Sequence, residues 1–127
     1  MGKLNSEVAA YLNEANIWIL VTSGDKPNAT RIGTKKIDAD GNLVFFDIFM
    51  KKSIENISKN PNVAVLALTD RQSYQLKGTA VYSTDEALLK EGNEMTSKMN
   101  LKTKGAVVVT VSETYIQTPG SDVGKLI

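Results

Sequence analysis

Lys51-Lys52-Ser53 is the place in this sequence where chemistry would start. An apolar run, Leu43-Val44-Phe45-Phe46, stops at Asp47, and Ile48-Phe49-Met50 leads into a helical pattern with Ile54 and Ile57 on one face. Asn60-Pro61 stops that helix, and a second apolar strand begins at Val63. A strand, a loop and a helix start carrying lysines and a hydroxyl suit an anion. The first N–H groups of a helix have no intrahelical acceptor, its dipole is positive there, and lysine adds point charge. Lysines at that end otherwise destabilise a helix by roughly a few tenths of a kcal/mol each. Phosphate is the natural ligand, and a solvated helix start is the alternative.

Other residues are read against that cradle. Arg31 and Lys36 lie on an alternating stretch from Asn28 to Asp38, with Ala29, Arg31, Gly33 and Lys35 on one face and Thr30, Ile32, Thr34 and Lys36 on the other. Lys35 is expected in solvent, because it points opposite to Lys36. A solvated strand face is the plain alternative for all three cations. Asp47, ending an apolar strand, is expected to cap the following loop through backbone N–H groups. Gln75 alternates on a later strand and says little alone. Met95 and Met99 fall at helical spacing and are expected to pack, and Trp18 suits a core or an interface between copies.

Composition narrows the chemistry. The chain of 127 residues has no cysteine and no histidine, which removes thiolates, sulfur-ligated metals and the commonest general base. What remains is carboxylates, lysines, hydroxyls or a borrowed cofactor. Formal net charge is +1, which argues against a surface built for nucleic acid or anionic lipid. No stretch approaches the roughly 20 apolar residues of a membrane span, and the N-terminus has no signal-type apolar core. A soluble cytoplasmic protein is the expectation.

The elements that must hold these residues follow from periodicity. Ser6–Ala15 reads as a short helix capped by Asn5 or Ser6. Ile17–Thr22 is a strand too continuously apolar to have one wet face, so it belongs in a barrel wall or between layers. Ser23–Pro27 turns into the strand Asn28–Asp38, with Gly33 the place for a bulge. Ala39-Asp40-Gly41-Asn42 is a hairpin turn. Strands follow at Leu43, at Val63–Leu68, at Tyr74–Tyr82 and at Ala106–Val111. A helix begins near Ser83-Thr84-Asp85-Glu86 and runs to the Asn100 region. The sum is one domain over residues 1–127, mainly β, with six antiparallel strands in a small barrel, about three flanking helices, and a tail from about residue 115.

Arg31 and Lys36, then Met50-Lys51-Lys52-Ser53 before a helix ending Asn60-Pro61, then Gln75-x-x-Gly78, occur in an order that resembles the FMN-binding split-barrel family related to pyridoxamine 5'-phosphate oxidase. The resemblance covers Ile17 to about Thr114 and is strongest to the short FMN-binding members. It implies a six-stranded antiparallel split β-barrel and a homodimer with FMN in the inter-subunit clefts. It implies that Arg31, Lys36, Lys51, Lys52 and Ser53 face the flavin phosphate. Phe46, Asp47 and Ile48 would line the ring edge through backbone groups, and Gln75 would reach the flavin of the neighbouring subunit.

The departures also carry implications. The substrate segment of the true oxidases has a tryptophan and an arginine-rich motif. The only tryptophan here is Trp18, and the tail PGSDVGKLI has neither feature. Lysine at position 51 keeps charge but loses the bidentate grip of arginine. The resemblance thus implies a flavoprotein of reduction or electron transfer, served by a nicotinamide or protein electron donor, rather than a vitamin B6 oxidase. A flavin brings its own redox chemistry, so a chain without histidine need only position it. Two other classes stand beside this one: a family member that kept fold and dimer but lost the flavin to act in binding or regulation, and a small-barrel nucleic-acid binder.

Overall fold

A computed structural model describes residues 4–127. In chain order the elements are α1 (Ser6–Glu14), β1 (Ile17–Ser23), β2 (Pro27–Ile32), β3 (Lys35–Ile37), β4 (Leu43–Asp47), α2 (Lys51–Lys59), β5 (Asn62–Leu68), β6 (Ser73–Ser83), α3 (Glu86–Met95), a 3₁₀ turn (Ser97–Met99) and β7 (Gly105–Ile116). Asn5 caps α1 by accepting from Glu7 N at 2.8 Å, and Val8, Tyr11 and Leu12 form its buried stripe. The 39–42 turn forms with Gly41 at φ +83°, and Asp38 Oδ1 accepts from both Asp40 N and Asn42 N at 2.9 Å.

All strands pair antiparallel in one sheet of order β2-β1-β5-β6-β7-β4-β3. The two outermost strands are consecutive in the chain. Laid flat, seven strands would separate their edges by roughly 29 Å, while the step from Ile32 to Lys35 spans at most about 11 Å. The sheet therefore has to curl until its edges meet. Phe46 N donates to Thr34 O at 3.0 Å, carrying the β3–β4 ladder into the crossing residues. This is an antiparallel split barrel, as expected, but with seven strands instead of six. The expected strand 28–38 is two strands, because Gly33-Thr34 carries the chain from one edge to the other.

The barrel interior holds Trp18, Leu20, Phe45, Val65, Leu76, Val107 and Val109. Trp18 meets Phe45 edge to face at 5.8 Å, and Tyr11 of α1 meets Tyr74 at 4.9 Å. Met50 and Ile57 anchor α2 in the same core. A second, smaller cluster (Val44, Phe46, Ala106) lies on the outside of β4 and β7 beneath Leu88 of α3. The β6–β7 pairing is irregular between Lys77 and Gly78, where Ser112 of β7 is the extra residue, and a Cβ on Gly78 would run into the Thr110 carbonyl.

One expectation about the C-terminal third is corrected. Met95 and Met99 do not pack; they are 47% and 59% exposed. The buried row of α3 is the i, i+4 series Leu88, Gly92 and then Thr96, whose hydroxyl donates to Gly92 O at 3.1 Å. Met95 lies about 100° around the helix from Thr96. The tail begins after Ile116, and it folds back as a hairpin onto β7: Ile116 N donates to Lys125 O and Ile127 N to Thr114 O, both at 2.9 Å.

Candidate functional site

The meeting of the sheet edges leaves a cleft of about 390 Å³, within the usual range of roughly 300–1,000 Å³ for ligand pockets. One wall is Thr30–Thr34, and the other is Phe46 with Ile48, Phe49 and Met50. Met99 and Leu101 close a third side. The walls are mainly apolar, and among the described residues Arg31 is the only ionisable one lining them. A Cβ on Gly33 would meet nothing within 4 Å, so the cleft is open at that point. Phe49, 79% exposed, stands at its mouth.

The cleft runs into the start of α2. Met50 is the N-cap residue, no side chain caps this end, and no acid stands in the first turn. Lys51 and Lys52 are exposed beside these N–H groups. The other expected cations are differently engaged. Lys36 Nζ lies 2.7 Å from Glu91 Oε1, tying β3 to α3. Lys52 Nζ stands 3.8 Å from Glu55 Oε1, an exposed i,i+3 pair of small energetic weight. Lys52 lines a second cleft with Asp25 and Lys59 rather than the first. Ser53 is buried and accepts from Asn28 Nδ2 at 3.3 Å.

Lys35 overturns an expectation. It is half-buried, with its ammonium 5.5 Å from the Trp18 ring centroid. Burial first, and then the Arg31 charge, hold its pKa below the ordinary lysine value. The alternation assumed along 28–38 does not survive the Gly33-Thr34 crossing, so the faces of β2 and β3 are not continuous. Lys35 turns toward Trp18 on the barrel side and does not line the cleft, so Arg31 brings the charge there. Nothing in the local pattern marked Lys35 for this place.

Asp47 does what its position suggested. It is 5% exposed, and its Oδ1 accepts from Met50 N at 3.1 Å. Its Oδ2 accepts from the Tyr82 hydroxyl at 2.7 Å, a partner 35 residues away that sequence reasoning had no means to find. Burial, followed by this bond to Asp47, pushes the Tyr82 phenol up to about 12.

Gln75 is not gathered into the cleft of its own chain. The strand register places Arg31, Ile19, Leu66, Gln75 and Tyr115 in one row across the outer face. Three strand spacings, roughly 14 Å, separate Arg31 from Gln75. Arg31, Phe46 and Ile48 are brought together; Lys51 stands at the adjoining helix start; Lys36 and Gln75 stand apart.

Comparison with known proteins agrees with this architecture. The family model described as pyridoxamine 5'-phosphate oxidase matches residues 4–118. An uncharacterised protein of Methanocaldococcus jannaschii is 37% identical over 131 residues, covering 98% of this chain and 88% of that protein. The structure of HupZ from Group A Streptococcus superposes with TM-score 0.79 at 15% identity, over 95% of this chain and 99% of that one. An FMN-binding protein from Syntrophomonas wolfei superposes with TM-score 0.74 at 16% identity, over 91% of this chain and 87% of that one. With the match spanning every strand of the split barrel, the chain belongs to the pyridoxamine 5'-phosphate oxidase family.

Proposed function

We propose that the protein is an FMN-binding flavoprotein of reduction or electron transfer, working as a homodimer. The observation that carries this reading is the junction of an apolar cleft lined by Arg31 with an uncapped helix start that carries Lys51 and Lys52. A flat aromatic ring suits the cleft's walls, and an anion answers both the Arg31 charge and the free N–H groups. In this reading Arg31, Lys51 and Lys52 face the phosphate, with Ser53 held at the same helix start. Backbone groups of Phe46–Ile48 border the ring, and Gln75 comes from the second copy.

FMN when bound supplies the redox chemistry. The cleft lining has no histidine or carboxylate, so the protein's part is to bind, orient and exclude water. The FMN-binding Syntrophomonas neighbour supports this choice of ligand. The outer face of β1 and β5, with Ile17, Ile19, Val21, Leu66 and Leu68 half-buried, supports a second copy as its cover. Flavin titration tests the reading: FMN is expected to bind with quenched fluorescence and yellow retained protein, and protein that stays colourless at saturating FMN overturns it. One observation favours the flavin-free alternative: Lys36 and Lys52 are already paired with Glu91 and Glu55. The same titration separates the two.

A further inference from the structure

The geometry points to Tyr82 and Asp47 as a positioning pair that fixes the Ile48–Met50 wall of the cleft and, through it, the start of α2. The role toward flavin rests on the reading given above; the hold on the loop does not.

Three strands meet at this pair. Asp47 is the last residue of β4, its carbonyl accepts from Lys104 N at 2.8 Å, and it lies opposite Gly105 of β7. Its side chain turns inward, and each carboxylate oxygen takes one donor, Met50 N on one side and the Tyr82 phenol of β6 on the other. The phenol reaches it by lying across Gly105. A Cβ there would stand 2.5 Å from Tyr82 Cζ, so the approach requires glycine. With its pKa pushed up to about 12, the phenol is a donor at every physiological pH.

Among the described residues no lysine or arginine pairs with Asp47. A carboxylate 5% exposed is therefore held by hydrogen bonds alone. Buried oxygens that lose a donor are costly. Without the Tyr82 hydroxyl, Oδ2 is unsatisfied, and turning the carboxylate toward another donor releases Met50 N. That amide is the tie closing the Asp47–Met50 loop. Ile48 and Met50 are buried on either side of exposed Phe49, so loosening the tie moves the cleft wall and the N-cap of α2 together. The pair touches no ligand itself and acts through the loop.

The test uses the full chain with Tyr82→Phe and Asp47→Asn. In ligand-free protein, hydrogen exchange of the Met50 amide is expected to quicken by about tenfold in Tyr82→Phe, the factor of one lost hydrogen bond. Exchange unchanged from wild type overturns the proposal. Asp47→Asn keeps Oδ1 for Met50 N and presents its amide nitrogen to the tyrosine oxygen. It is expected to keep near-wild-type exchange, and an acceleration as large as that of Tyr82→Phe also overturns the proposal.

The flavin arm is read well below the melting temperature of each variant, where a merely structural loss leaves intrinsic affinity unmoved. Tyr82→Phe is expected to raise the Kd of riboflavin by about tenfold and that of FMN by at least as much, because the wall meets the ring and the α2 start that moves with it meets the phosphate. Equal Kd values in wild type and variant overturn the cleft role. Wild type that binds neither flavin ends the flavin reading, and exchange at Met50 then decides the pair by itself.

Discussion

At the scale of single residues, the positive charge at the cleft mouth is concentrated in Arg31, with Lys35 close enough to feel it. Arg31→Ala is expected to weaken FMN by about tenfold or more while leaving riboflavin unchanged, since one charge-assisted contact to a phosphate contributes roughly 1.5–3 kcal/mol. Arg31→Lys should fall between, because lysine restores charge without the planar fork. Calorimetric titration of both ligands checks this, and equal losses for both would place Arg31 against the ring. Tyr82 gives a second expectation, on stability. Its phenol is raised from 10.0 to about 12 in the folded chain, so the stabilisation it contributes is complete below pH 10 and lost as pH rises toward 12. Lysines titrate in the same window, so the measurement is a difference: wild type should lose more stability than Tyr82→Phe between pH 10 and 12 in denaturant melts. Parallel curves would refute the assignment. The loop-capping role of Asp47 was legible because the end of an apolar run marked it, whereas Arg31 was marked by the family resemblance and not by alternation. Lys35 and Tyr82 were not, since their roles come from neighbours that only the closed barrel supplies.

At the scale of elements, two glycines show how strand ends decide the site. Gly33 sits in the two-residue crossing between β2 and β3, with open space where a Cβ would go. Gly33→Ala should leave stability unchanged or raise it by about 0.4–1 kcal/mol through the unfolded chain. Gly105, at the start of β7, has the Tyr82 ring against it. Gly105→Ala should cost about 1–3 kcal/mol by displacing the phenol from Asp47. Thermal melts of the two variants check the contrast, and a similar Tm for both would sink it. The strands, the three helices and the antiparallel character were all readable from periodicity, short connections and caps. The division of residues 28–38 into two edge strands was not. Alternation continues on paper through Gly33, and a bulge and a crossing leave the same mark of one glycine. What tells them apart is the pairing of β3 with β4, a contact with residues 43–45 that local sequence does not encode.

At the scale of the molecule, the outer surface of the sheet has two unlike halves. Over β4 and β7, Leu88 of α3 covers Val44, Phe46 and Ala106. Over β1 and β5 no helix among the described residues covers Ile17, Ile19, Val21, Leu66 and Leu68, which stay half-buried on an outward face. Charged or polar residues normally stand on a solvated strand face, so a block of this size marks an interaction surface. Leu66 occupies the middle of it, between Ile19 and Gln75 in the row that begins at Arg31. A self-complementary interface places the same patch on both copies. A glutamate there puts two carboxylates into one desolvated apolar patch, which such an interface does not tolerate. Leu66→Glu should therefore convert the protein from a dimer to a species of 13.8 kDa by light scattering, while the barrel still folds, because the new charge faces solvent in the single chain. FMN affinity should fall with it, since Gln75 stands roughly 14 Å from Arg31 in its own chain and, in the proposed dimer, would reach a cleft only across the interface. Wild type already at 13.8 kDa would remove the dimer. A Leu66→Glu monomer with undiminished affinity would instead confine the site to one chain, between Arg31, the α2 start and the loop that Asp47 holds.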